Sequence, residues 1–119
     1  MGWNLDKDKP IYPQLTERLA MLIARGRFAP EERLMSVREV AVEAGVNPNT
    51  VQKAFEQLEA KGIIYSVRGS GWFVSTDPEA AKAEAERIVT VKVGDFFAEM
   101  EALGYTPEQT REFVGRWQA

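Results

Sequence analysis

The chain has 119 residues, 45% of them hydrophobic, enough for one compact domain with a short appendage. It contains neither cysteine nor histidine, which excludes disulfides, thiolate chemistry, the usual transition-metal sites and imidazole-based acid–base catalysis, and makes the cytoplasm the expected location. The net charge of −3 is unevenly spread: residues 1–76 carry ten Lys/Arg against nine Asp/Glu and residues 77–119 five against nine, so the first part can hold a local basic surface although the whole is acidic.

No apolar run approaches the length of a membrane span, and the opening M-G-W-N-L-D-K-D-K-P lacks a signal-peptide core. No membrane association is expected. Pro10-Ile11-Tyr12-Pro13 reads as an extended lead-in, because each proline biases its predecessor away from helix. Tyr12, Leu15, Leu19, Leu22 and Ile23 then recur at three- and four-residue steps, the stripe of an amphipathic helix that Gly26 ends. R-G-R-F-A-P-E-E-R-L is a loop with Phe28 and Leu34 turned inward.

Ser36-Val37-Arg38-Glu39 has the capping-box spacing and starts a short helix through Glu43, with Val40 and Ala41 inward and Gly45 at its stop. Asn47 caps a third helix, and Pro48 takes its first position, where a missing N–H costs nothing. Val51, Ala54, Phe55 and Leu58 form the buried stripe of that helix, which ends at Lys61-Gly62. Ile63–Val67 and Trp72–Val74 are rich in β-branched and aromatic residues, and Arg68-Gly69-Ser70-Gly71 between them completes a β-hairpin with a glycine-rich tip.

Asp77-Pro78 marks a boundary, dividing the chain into residues 1–76 and 77–119. Beyond it, Val89, Val93, Phe96, Met100 and Leu103 make a heptad-like seam on a long helix, although the run I-V-T-V-K-V also has the composition of a strand. Thr106-Pro107-Glu108-Gln109 opens a last short helix with Phe113, Val114 and Trp117 on one side. The fold class is α+β and mostly helical: three helices and a hairpin wing, followed by two helices.

Two short helices joined by a glycine turn and followed by a hairpin have the order of a winged helix-turn-helix, whose second short helix can enter the major groove of DNA by its N-terminal residues. Asn49, Thr50, Gln52 and Lys53 lie off the apolar stripe of that helix. Amides can pair two-point with adenine edges and lysine can serve guanine or phosphate, while Asn47 suits a cap beside a phosphate. Each piece alone has a plainer reading as a cap, a solvated face or a turn. Their order and spacing favour DNA.

The stretch R-L-M-S-V-R-E-V-A-V-E-A-G-V-N-P-N-T-V-Q-K-A-F-E-Q-L-E-A-K-G-I-I-Y-S-V-R-G-S-G-W-F-V, with P-I-Y-P-Q-L before it, resembles the winged-helix domain of GntR-type bacterial transcription regulators over roughly residues 10–75. The resemblance implies operator binding by a dimer. Arg38 matches the family arginine that reaches phosphate or base; Thr50, with Asn49, Gln52 and Lys53, falls on the recognition helix; Gly69 and Gly71 match the wing-tip glycines, beside Arg68 and Ser70. N-P-N-T-V-Q is similar to the YtrA-like subgroup, as Pro48 and Gln52 stand where many members have arginine. Glu31 and Met35 replace a common glycine and proline, and Ser70 and Trp72 replace frequent basic and threonine residues.

About forty residues follow the wing, and two helices of one chain are not expected to enclose the roughly 300 Å³ of a drug-sized pocket. The YtrA-like resemblance implies a two-helix dimerisation tail (Val89, Val93, Phe96, Met100, Leu103, Phe113 and Trp117) and repression of a transporter operon that includes the regulator's own gene. Packing of the seam onto the same chain is the other reading. A small-molecule effector has room only at the dimer interface, where Phe97, Tyr105 and Trp117 are apolar enough to line a pocket. The expected partners are therefore a pseudo-palindromic DNA operator and a second copy, with no cofactor. The alternative is a winged helix serving as a protein-interaction module without sequence-specific DNA binding. An enzyme lacks support: no phosphate-cradling loop precedes a helix and no carboxylate pair marks a cleft.

Overall fold

The computed structural model describes residues 2–118. Its elements run α1 (Ile11–Ala24), α2 (Val37–Ala44), α3 (Pro48–Ala60), β1 (Ile64–Val67), β2 (Gly71–Val74), α4 (Glu79–Ala102) and α5 (Pro107–Arg116). The chain divides into two compact units, the first ending at Ala85 and the second beginning at Glu86.

Helix α3 organises the first unit. Its stripe of Val51, Ala54, Phe55 and Leu58 is fully buried, as the three-one-three spacing requires when one face of a 3.6-residue helix meets a core. Helices α1 and α2 and strand β1 all pack on it. They bring Leu15, Leu19 and Ile23 from α1, Val40 and Ala41 from α2, and Ile64 from β1 into the same core. The Trp72 ring meets Phe55 edge-on at 5.5 Å, so the wing is anchored to the helix by an aromatic contact. Trp3 is also buried, a core residue that no periodicity marks because it precedes the first element. Lys61, at the end of α3, holds the nearly buried Glu84 carboxylate at 3.5 Å, which supplies the charge partner that burial demands.

The start of α1 differs from the extended lead-in expected over Pro10–Pro13. Only Pro10 is extended, as the N-cap residue, and the helix begins at Ile11 with Pro13 inside its first turn. The first four N–H groups of a helix have no intrahelical acceptor, so proline removes nothing there. At the other end Gly26 takes a φ of +78°, and Arg27 N–H donates to the Leu22 carbonyl at 3.0 Å, closing the helix near the expected residue.

Strands β1 and β2 pair antiparallel, with Ile64 opposite Val74, Tyr65 opposite Phe73, Ser66 opposite Trp72 and Val67 opposite Gly71. The loop before α2 adds an edge to this hairpin. Arg33 bridges Phe73, Leu34 N–H donates to Trp72 O, Glu31 N–H donates to Val74 O, and Val74 N–H donates to Glu32 O, all within 2.9 Å. Leu34 is buried as expected, and Phe28 is half-buried. Glu31 adopts a φ of +68°, so the turn itself is left-handed, and here a side chain tolerates it where the resemblance implies glycine.

In the second unit the run I-V-T-V-K-V is helical, inside α4. β-branched residues cost only a few tenths of a kcal/mol each in a helix, and the Ala- and Glu-rich flanks carry the run. Thr90 Oγ1 donates to the Glu86 carbonyl one turn back at 2.8 Å. Helix α5 opens with a complete capping box between Thr106 and Gln109, with Pro107 at its first position. Phe96, Met100, Phe113, Val114 and Trp117 line an open apolar groove of about 390 Å³. The groove is open rather than enclosed, in line with the expectation that two helices of one chain do not enclose a drug-sized pocket. Val89 and Val93 are each 49% exposed, Phe113 49% and Trp117 72%. Leu103 lies just beyond the end of α4 and is 73% exposed.

An L-residue in the left-handed region costs roughly 1–2 kcal/mol, and glycine returns about 0.5–1 kcal/mol of that as extra unfolded-state entropy. Glu31→Gly is therefore expected to raise stability by up to about 1 kcal/mol, read as a higher urea midpoint with unchanged slope. A lower midpoint would contradict the assignment of strain to this turn.

Candidate nucleic-acid interface

The candidate interface is assembled by three local devices. The first is the start of α2, where Glu39 N–H donates to Ser36 Oγ and Ser36 N–H donates to the Glu39 carboxylate, both at 3.0 Å. This reciprocal cap fixes the first turn and leaves Arg38 within it, exposed. The second is the turn into α3. Gly45 sits at a φ of +69°, open on the side where a Cβ would project, and the chain then extends through Asn47. The Asn47 side-chain oxygen accepts from Asn49 N–H at 2.8 Å, so the cap uses its carbonyl and leaves its amide N–H groups to donate. Lys7 reaches the same turn and donates to the Gly45 carbonyl at 3.4 Å.

The third device is the wing tip. Ser70 N–H donates to Val67 O at 2.9 Å, and Gly69 holds a φ of +80° with nothing within 4 Å of where a Cβ would lie. The tip backbone can therefore approach a flat or grooved surface without side-chain obstruction. Arg68, Gly69 and Ser70 are exposed and Gly71 is half-buried.

On α3 itself, Asn49 is exposed in the first turn and Thr50 is half-buried one residue later. Gln52 and Lys53 are exposed but not idle. Gln52 Nε2 donates to Glu56 one turn on at 3.2 Å, and the Lys53 ammonium stands 4.1 Å over the Tyr12 ring of α1. Both contacts are weak and solvent-exposed, so a stronger acceptor can recruit either group. Sequence spacing could not give the Lys53–Tyr12 contact, because it forms only when α1 packs on α3.

Arg33 is a further cation on this surface that periodicity did not single out. A Cβ added to Gly71 would meet its guanidinium at 3.2–3.8 Å. Its charge also helps to hold the Glu39 carboxyl below the usual glutamate range, after the larger effects of hydrogen bonds from the Ser36 backbone and side chain. Arg33 thus lies between the first turn of α2 and the wing. No group of His, Asp or Glu capable of holding a metal ion occurs among the described residues, and none of their helices is long and apolar enough to cross a membrane.

Comparison with known proteins agrees with this architecture. Residues 11–74 match the family model described as bacterial regulatory proteins, gntR family. Over 77 residues the chain is 39% identical to the HTH-type transcriptional repressor YtrA of Bacillus subtilis (strain 168), a match covering 65% of this chain and 59% of that protein. A solved GntR family transcriptional regulator from Listeria monocytogenes superposes with a TM-score of 0.85 at 33% identity, over 96% of this chain and 100% of the other. The AraR DNA-binding domain, solved in complex with operator ORE1, superposes with a TM-score of 0.53 at 33% identity over 54% of this chain and 78% of that one.

The Glu39 shift sets an acid limb on stability. A carboxyl whose folded-state pKa is depressed contributes stability that is present above its unfolded value and is lost as pH falls through the folded one. Between about pH 5 and pH 3, spanning and passing below the ordinary glutamate value, the urea midpoint of the wild type should fall more steeply than that of Glu39→Gln. Parallel pH profiles would show that the cap carries no charge-dependent stability.

Proposed function

The chain belongs to the GntR family of bacterial regulatory proteins, and we propose that it acts in the cytoplasm as a homodimeric repressor of a transporter-type operon that includes its own gene. Proteins of this family regulate transcription by binding DNA and are not enzymes. The observation that carries the reading is the start of α3: its apolar stripe is fully buried, and its exposed polar turn faces away from the core with Arg38 and the wing tip on neighbouring elements. A helix N-terminus with short amide and hydroxyl side chains fits a major groove. Glycines at the wing tip let backbone approach a second groove.

In this reading Arg38 contacts phosphate or a base edge, Asn47 donates its free amide to a phosphate, and Asn49, Thr50, Gln52 and Lys53 face the bases. Arg68, Gly69, Ser70 and Gly71 form the wing contact. Dimerisation uses the exposed apolar residues of the tail, Val89, Val93, Phe96, Met100, Leu103, Phe113 and Trp117; a partner that covers Val89, Val93 and Trp117 removes apolar surface from water that a lone chain leaves wet. Repression is supported by the name of the relative YtrA, and the operon by the resemblance of N-P-N-T-V-Q to its subgroup. Phe97, Tyr105 and Trp117 remain the candidates for lining an effector pocket where two tails meet.

The test is fluorescence anisotropy on the region upstream of the protein's own gene, against a shuffled fragment, followed by footprinting. The native fragment should be bound specifically, with a two-fold symmetric footprint whose half-sites lie about one helical turn or a multiple of it apart. Arg38→Ala or Thr50→Ala should weaken that binding by roughly 5- to 150-fold, the loss of about 1–3 kcal/mol. Equal affinity for both fragments, with the variants unaffected, would transfer the winged helix to a protein partner.

A further inference from the structure

We propose that Arg33 is a DNA phosphate-binding residue of the wing, supplied from the loop that precedes α2 and given room by the bare backbone of Gly71; the proposal rests on the DNA-binding reading above. Arg33 is bridged to Phe73, and in an antiparallel pair residues opposite and diagonally offset by two share a face. Gly71 is the residue two before Phe73 on that strand. The space that a side chain at Gly71 would fill is taken by the guanidinium, whose Nε, Nη2 and Cζ come within 3.2, 3.6 and 3.8 Å of the Cβ position. Glycine at this place therefore does two things. It permits a φ of +115°, and it leaves a channel along which Arg33 runs toward the tip.

The opposite face of the hairpin is occupied, with Ile64 and Val74 buried and Trp72 against Phe55. The Arg33 face carries Tyr65 stacked on Phe73 at 5.8 Å and the exposed Val67, and it is the face left to solvent. Among the described residues no carboxylate lies within salt-bridge distance of Arg33. Glu39 feels its charge without pairing, which places the guanidinium toward the first turn of α2, where Arg38 stands. An exposed guanidinium with no carboxylate partner, beside a loop with glycine at positions 69 and 71, is suited to a bidentate contact with a phosphate. The tip itself carries Arg68; Arg33 adds a second cation from the segment paired with β2.

The experiment uses the full chain on two duplexes, the native upstream fragment and a random-sequence fragment, each titrated by anisotropy from 0.05 to 0.3 M salt (roughly the range over which counterion release is readable). Wild type, Arg33→Ala, Arg33→Gln and Arg33→Lys are compared, with circular dichroism melts confirming that each is folded; the glutamine variant keeps the methylene stem and a polar, uncharged end where alanine loosens the wing. A phosphate contact predicts that alanine and glutamine each lower the log–log salt slope by about 0.9 and weaken low-salt binding roughly tenfold on both duplexes, while lysine keeps the slope. An unchanged slope in a folded Arg33→Gln, whatever happens to affinity, overturns the proposal and leaves Arg33 as a prop for the wing. A wild type with no salt-dependent affinity for either duplex would sink the DNA-binding reading itself, and the role of Arg33 with it.

Discussion

Burial of one face of α3 is the constraint on which the remainder of the first unit depends. Val51, Ala54, Phe55 and Leu58 have no exposed surface, and a helix that commits four such residues to a core has no freedom to rotate about its axis. Rotation by one residue would carry Phe55 toward water and bring Gln52 or Glu56 inward, at a cost of several kcal/mol. The same commitment determines which side chains stand outside. Asn49, Gln52 and Lys53 are exposed because the stripe between them is not.

The other pieces are built onto this fixed helix. The Phe55–Trp72 contact ties the wing to it, the Tyr12 ring supports Lys53, and α2 approaches through a left-handed Gly45 that sets the angle between the two short helices. Trp72 finds its physical reason in this packing: its ring lies against Phe55 on the core side of the hairpin. Each of these contacts is individually worth about 1 kcal/mol or less. Together they hold three polar groups on separate elements in one arrangement, which is what preorganisation for a rigid polyanion requires.

Much of this was legible in the sequence, for reasons that are local. The capping box at Ser36 is read from spacing alone and formed as expected, while the last helix starts at Thr106 as read, with a capping box that was not singled out. The α3 stripe was legible because 3.6-residue periodicity is a property of the chain. What escaped was tertiary or positional. Pro13 lies in the first turn of a helix rather than in a lead-in, because the residue's prohibition lapses where no hydrogen bond is due. The helical state of I-V-T-V-K-V was undecided by composition and follows from its flanks. Trp3, Lys7 and Arg33 make their contacts across 30 or more residues of chain or outside any periodic element, so no window along the sequence contains both partners. The left-handed turn at Glu31 was not read from the sequence, because a glutamate gives no signal of a positive φ.

If they form one DNA-binding surface as proposed, the exposed start of α3, the first turn of α2 and the wing tip respond together when DNA binds. Amide hydrogen exchange of the full chain, with and without a duplex from the region upstream of its own gene, addresses it directly. DNA is expected to slow exchange in residues 36–39, 47–53 and 68–71 together, and to leave residues 89–117 at their rates in the free protein. Slowing confined to residues 89–117, with the start of α3 unchanged, would contradict it and identify the tail, not the winged helix, as the surface that binds.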